Sequence, residues 1–226
     1  MFQYPPAVRW RYFGESNMQH QLDARQQAII PIAAFTATGQ SEKLDAALNA
    51  GLDAGLTLNE AKEILQQLYA YCGFPRSLNG LACLMSVVKN RRERGISDPE
   101  GNPATPPTEG WDSFLAGSCT QTQLVGHPVS GPLFDFAPAI DVWLKAHLFG
   151  DIFQRDVLNW KMRELATISA LAVLGGVDSQ LKSHFAICLN IGITSDQLIE
   201  FIAILEQHCG SEIATNARAV VDECRG

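Results

Sequence analysis

The sequence predicts an all-α protein built from two tandem copies of one helical unit. Three observations carry this. Apolar residues recur at helical spacing between glycine stops and threonine caps. Nothing along the chain alternates convincingly as strands. And the chain matches itself, without a gap, when slid by 137 positions: Gly39 falls on Gly176, Leu44 on Leu181, Gly55-Leu56-Thr57 on Gly192-Ile193-Thr194, Glu63 on Glu200, Leu68 on Leu205, Cys72-Gly73 on Cys209-Gly210 and Asn79 on Asn216. Agreement at turn and cap positions over that length is the mark of a duplication.

The first copy is expected over 20–95, the second over 138–226, with an irregular linker over 96–137. In the first copy Gly55 stops one helix and Thr57 caps the next, with Glu60 three residues on completing a capping box. That helix, Leu58 to Tyr71, places Ile64, Leu65 and Leu68 on one face. Gly73-Phe74-Pro75 ends it, and a further helix follows from Ser77 to Glu93. Asp98 to Gly110 then holds four prolines and two glycines and reads as a loop, and Leu124 to Pro138 is irregular for the same reason. From Pro138 the chain turns helical again, with Gly150-Asp151 as a break or cap. In the second copy, helices are expected over Lys161–Leu174 and Ser179–Ile191. Gly192 lies just past the second of these, and Thr194 with Gln197 caps a third.

Composition excludes several functions. The chain has 226 residues, 46% hydrophobic and 18% charged, enough for a real core. A net charge of −7 argues against nucleic acid. The short run Lys89-Asn90-Arg91-Arg92-Glu93-Arg94 reads as a solvated helix C-terminus. No apolar run approaches the roughly 20 residues that span a bilayer, and Met1 to Pro6 does not resemble a signal peptide. The six cysteines form no C-x-x-C and sit in apolar helical patterns, which points to free thiols in a reducing cytoplasm. The five histidines show no metal-ligand spacing, so no metal is expected.

Two stretches resemble the carboxymuconolactone decarboxylase family of the alkyl hydroperoxidase D-like fold. One is Glu60 through Asn79, above all Tyr69-Ala70-Tyr71-Cys72-Gly73-Phe74-Pro75-Arg76. The other runs from Arg163-Glu164-Leu165-Ala166-Thr167-Ile168 through Gln180-Leu181-Lys182-Ser183-His184 to Leu189-Asn190-Ile191-Gly192-Ile193-Thr194. Gly150-Asp151-Ile152-Phe153-Gln154-Arg155 is similar to the family's lead-in to its main helix. The resemblance implies two tandem alkyl hydroperoxidase D-like repeats. It also implies self-association, a homotrimer of tandem chains imitating a hexamer of single ones. Members include cofactor-free decarboxylases of a lactone acid in aromatic catabolism, and thiol peroxidases that use a C-x-x-C with a nearby Glu and His.

The gap-free register sets Arg163 against Gln26, Glu164 against Gln27 and His184 against Ala47. Three polar groups of copy two are thus neutral in copy one, so copy two is expected to supply the site and copy one to be partly structural. Surface drift is the alternative. The family pattern carries a histidine at His184, which is the first candidate for a general acid or base. Cys188 lies one turn later on the same face. Arg163 and Glu164 are adjacent and point apart. Arg163 is expected to grip a substrate carboxylate with two parallel hydrogen bonds, or else to form a surface ion pair. Glu63 and Glu200 stand where the resemblance places the acid of the peroxidase members. The catalytic set is therefore His184, Glu164, Arg163 and Glu200, with Arg155, Cys188, Tyr71 and His147 as substrate contacts. Cys72 and Cys209 sit at helix C-termini, the wrong pole for a thiolate, and read as packing residues. The expected substrate is a small anionic lactone or keto acid. Arg163 would hold its carboxylate, His184 would protonate the carbanion left by carbon dioxide, and Glu164 or Glu200 would orient the imidazole. The rivals are a non-catalytic binding protein and a thiol-dependent reductase.

Overall fold

The computed structural model describes residues 21–224; Met1 to Pro6, read above for a leader, lies outside them. Copy one comprises α1 (Ala24–Thr38), α2 (Ser41–Asp53), α3 (Leu58–Gln67) and α4 (Tyr69–Glu93). Copy two comprises α8 (Trp160–Leu174), α9 (Asp178–Asn190), α10 (Ser195–Cys209) and α11 (Ser211–Glu223). Between them run α5 (Ser113–Val125), α6 (Pro132–Phe136), α7 (Pro138–Trp143) and a π-helix (Leu144–Ile152). No strand occurs among the described residues.

The duplication is visible in the backbone. Thr57 and Thr194 share φ −79 and ψ 161, and each closes a reciprocal capping box, with Glu60 and Gln197 respectively. Gly73 (φ 81, ψ 160), where α4 kinks after its first turn, and Gly210 (φ 98, ψ 164), just ahead of α11, make the same sharp corner. A side chain would be strained at that φ, so the glycine is what permits the corner.

One feature of the repeat is corrected. The loop between α1 and α2 holds residues 39–40, whereas the loop between α8 and α9 holds 175–177. Copy two therefore carries one extra residue after its first helix. The first helices align with an offset of 136, which puts the N-caps Asp23 and Asn159 together, each accepting from an amide three residues on, Gln26 and Met162. Gly39 then faces Gly175. With two adjacent glycines in copy two, the gap-free slide matched the wrong one. Arg163 thus corresponds to Gln27, and Glu164 to Ala28.

The core is a swapped pair. α1 and α8 pack on each other at the centre, buried from Ile29 to Ala37 and from Met162 to Ala172. Both are apolar almost all round, as a helix enclosed on every side must be. α3 and the start of α4 lie across α8, and α10 lies across α1. Each third helix therefore reaches the first helix of the other copy, and α3 also touches its own.

The segment 96–137 is not irregular throughout. Residues 96–109 lack regular structure, but they dock: Pro99 and Glu100 carbonyls accept from Leu58 and Asn59 amides at the α3 N-terminus, where such donors are otherwise unpaired. Buried Arg91 holds the same turn through Asp98 and Asp53. The helix α5 was hidden by its small and polar residues, which give little helical periodicity, though its Asp112 cap accepting from the Leu115 amide was a legible start signal. Gly150-Asp151 neither breaks nor caps a helix; the π-helix runs through both. Glycine serves close approach instead. A Cβ on Gly117 would lie 1.7 Å from the Lys145 carbonyl oxygen, and one on Gly150 would lie 2.0 Å from that of Ser113, so α5 and the π-helix cross backbone to backbone. Their apolar residues Leu124, Leu148, Phe149, Ile152 and Phe153 join Ile187 of α9 in a second small core, with Tyr69 and Tyr71 packed against it.

No helix among the described residues is long and apolar enough to cross a membrane.

Candidate functional site

The polar groups of interest meet where copy one crosses copy two. Arg163 and Glu164 are both fully buried on α8. Being neighbours on a helix, they diverge. Glu164 turns to α9, where its Oε2 lies 2.7 Å from Nδ1 of His184. The His184 side chain is only 12% exposed. An ionised Glu164 accepts from Nδ1–H and leaves Nε2 as the working nitrogen, a tautomer assignment made from the hydrogen bond. The Tyr71 ring, on the first turn of α4, meets His184 edge-on at 5.8 Å and 79°. Cys188 lies beneath, one turn along α9; burial, with Glu164 beside it, pushes its thiol well above the ordinary range.

Arg163 turns the other way, to α3. Its Nη2 donates to Glu63 Oε1 at 2.8 Å and to the Arg155 carbonyl at 2.6 Å, and its Nη1 donates to Gln67 Oε1 at 2.9 Å. Gln67 in turn donates to the Arg163 carbonyl and to the Thr167 hydroxyl, both at 2.9 Å. Glu63, itself buried, also takes the fork of Arg155 at 2.8 and 3.0 Å. Arg155 is 44% exposed, and Glu63 raises its pKa. Burial works against the charge of Arg163, and Glu63 supports it. Three buried atoms here have no hydrogen-bond partner among the described residues: Tyr71 Oη, Glu164 Oε1 and Arg163 Nε.

Several sequence expectations change. Arg163 is neither a free carboxylate grip nor a surface ion pair. It is committed to Glu63 and Gln67 across the copy junction, and Arg155 is the exposed cation there. Glu200 lies at the opposite junction, accepting from the Leu22 amide at 2.7 Å and Gln27 Nε2 at 2.9 Å, so it does not orient His184. The polar groups at this junction do not come from copy two alone: Glu63, Gln67 and Tyr71 come from copy one. Gln67 and Thr167 were not singled out as site residues; Glu63 was marked, with Glu200, at the position of the peroxidase members' acid, but was left out of the catalytic set. His147 stands apart on the π-helix, 2.9 Å from Asp151 and 5.7 Å from the Tyr69 ring, with Ser113 at 2.5 Å from the other Asp151 oxygen.

At the opposite junction, in the corrected register, Ala28, Ala47 and Gly51 take the places of Glu164, His184 and Cys188. Gln27, Ile204 and His208 take those of Arg163, Gln67 and Tyr71. A Cβ on Gly51 would come within 2.8 Å of Ile32 Cδ1, so that space is filled by the core.

No group of three or more His, Cys, Asp or Glu side chains able to hold a metal occurs among the described residues. Burial raises the Cys72 thiol to about 11 and also raises Cys83, Cys209 and Cys224, the opposite of activation. Two open surface hollows, ≈ 800 Å³ beside Glu42, Asp45 and Asn79 and ≈ 640 Å³ beside Lys62, Leu84 and Arg92, lie on copy one, away from His184.

The sequence profile of the carboxymuconolactone decarboxylase family matches residues 7–85 and again 138–223. The 4-carboxymuconolactone decarboxylase of Acinetobacter baylyi (strain ATCC 33305 / BD413 / ADP1) is 30% identical over 91 residues, covering 40% of this chain and 67% of that protein. The chain belongs to the carboxymuconolactone decarboxylase family, as two tandem copies of its domain.

Proposed function

From that membership, we propose that the chain is a cofactor-free carboxy-lyase acting on a small carboxylated lactone or keto acid, with one working site, at the junction that holds Glu164 and His184. The observation that carries the proposal is the 2.7 Å Glu164–His184 pair, nearly closed to solvent and set beside unpartnered polar atoms. A titratable group fixed by a buried carboxylate is the arrangement general acid catalysis requires.

In this reading Arg155 holds a substrate carboxylate, since its exposed guanidinium retains donors that Glu63 does not use. His184, as imidazolium, delivers a proton from Nε2 to the carbon that loses carbon dioxide. Glu164 holds the ring in place and balances its charge. The substrate's own conjugated carbonyl accepts the electron pair, so the chemistry calls for no added electron sink. A binding protein without turnover is the rival; the raised thiols count against a thiol-dependent reductase.

Self-association as a homotrimer fits the outer face of copy one. Phe74, Leu78 and Met85 on α4 are 62%, 59% and 72% exposed, whereas their counterparts on α11 are Ser211, Thr215 and Asp222. Light scattering should give three chains per particle, and Met85→Asp should lower that number.

The deciding experiment is carbon dioxide release from a panel of carboxylated muconolactones and related keto acids, comparing wild type with His184→Ala. Release by the wild type and not by a correctly folded variant is expected. Equal release by both would overturn the assignment of His184, and silence from the wild type across the panel would favour the binding protein.

A further inference from the structure

Tyr71 is the polar group at the junction that the scheme above leaves without work. Its hydroxyl is buried and makes no hydrogen bond of ordinary geometry among the described residues, although the Thr167 hydroxyl lies close enough to act on it. A buried phenol without such a bond is uncommon and calls for an explanation. Its neighbours are otherwise well paired: Gln67 is satisfied at both ends, and the Thr167 hydroxyl accepts from Gln67 and donates to the Arg163 carbonyl at 3.0 Å. Burial and the adjacent Glu164 keep the phenol in its neutral, proton-bearing form. The duplication supplies an internal comparison. Where the opposite junction has Ala28 and Ala47 in place of Glu164 and His184, it also has His208 in place of Tyr71, with its ring against Phe35. The phenol is present with the acid–histidine pair and absent without it.

We infer that Tyr71, contributed by copy one, is a catalytic hydrogen-bond donor that binds the substrate oxygen on which negative charge gathers, opposite the proton delivered by His184 of copy two. The inference rests on the decarboxylase reading for its reaction. In that reaction the bond to the departing carboxylate breaks, carbon dioxide leaves, and the electron pair moves through the conjugated system onto the carbonyl oxygen. Tyr71 Oη–H donates to that enolate oxygen and keeps its proton. His184 then gives the Nε2 proton to carbon, the carbonyl re-forms, and solvent reprotonates the imidazole. A neutral donor held in a dry site stabilises such an oxygen with no reorganisation at the moment of reaction. Each copy thus supplies one half of the site: copy two the acid, copy one the donor.

The test is Tyr71→Phe, which keeps the ring and its edge contact with His184 and removes only the hydroxyl. Two readouts are taken, carbon dioxide release from the same panel and binding of 4-hydroxy-3-nitrobenzoate, a coloured phenolate that carries one carboxylate. The variant should lose about 100-fold in kcat with little change in KM, the scale expected for one oxyanion donor. It should also bind the phenolate at least about tenfold more weakly. Fluorinated tyrosines at this position should change the rate in step with their acidity, which a merely structural ring would not do. An active wild type with Tyr71→Phe within threefold in both readouts overturns the inference and leaves the decarboxylase reading intact. An inactive wild type whose phenolate binding still depends on Tyr71 overturns that reading and supports the donor. Inactivity together with binding indifferent to Tyr71 overturns both.

Discussion

The two junctions between the copies are built alike and filled differently. In each, a glutamate on the third helix of one copy reaches the first helix of the other: Glu63 to Arg163, and Glu200 to Gln27. In the first, the space beyond that contact holds a carboxylate, an imidazole and a phenol; in the second it holds Ala28, Ala47 and the partly buried His208. The glutamate contact is therefore common to both junctions, and the carboxylate, imidazole and phenol are what sets one apart, which is why the proposed chemistry is assigned to them. A single-copy chain gives no such internal control.

The largest effect expected is on turnover. His184→Ala should cost about a thousandfold in kcat, within the span of general acid catalysis, while His208→Ala should stay within about threefold. A comparable loss at both positions would break the comparison. Next comes stability. Glu63→Gln leaves Arg163 buried beside a neutral partner and should cost about 3–5 kcal/mol in urea unfolding. Glu200→Gln keeps one accepting oxygen and turns the other into a donor facing an N–H, and should cost about 1–2 kcal/mol. Equal costs would show that the Glu63 pair is not the stronger cross-brace.

Packing offers a third contrast. Gly51→Cys, which would copy Cys188 into the opposite junction, meets Ile32 and Leu56 and should destabilise by about 1–3 kcal/mol; neutrality would mean that junction has room for a site after all. The smallest effects are in pH. Tyr71 has a folded pKa above its unfolded value of about 10, so the folded state binds more protons and stability falls as pH rises beyond about 10. Tyr71→Phe should blunt that alkaline loss. His208 is shifted the other way by burial, so its contribution is lost as pH falls below about 6.5. Unfolding midpoints across pH should therefore show an alkaline arm from one junction and a weak acid arm from the other.

Much of the fold was legible because caps and corners are local. Thr57, Thr194, Gly73 and Gly210 act on the few residues around them, and their chemistry is written in adjacent letters. α5 was missed because a helix held by backbone contact at Gly117 needs no apolar stripe. The site was legible only in part. His184 does lie against Glu164 and Tyr71, and Arg155 against Glu63, but Arg163 and Glu200 were given work at odds with the partners they hold. Partners come from distant stretches of chain, and nothing local records them. The glycine pair at 175–176 also hid a one-residue insertion that decided which residues of the first helices correspond.

The sequence by itself determined that this chain is helical, duplicated and a family member, because periodicity, caps and repeats depend on residues close in the chain. Only the tertiary structure decided that each third helix reaches the other copy, that Arg163 is occupied by Glu63, and that Tyr71 of copy one lies beside the Glu164–His184 pair of copy two. Those are outcomes of packing α1 against α8, where burial forces Arg163 to find a partner and that partner, Glu63, lies in the other repeat.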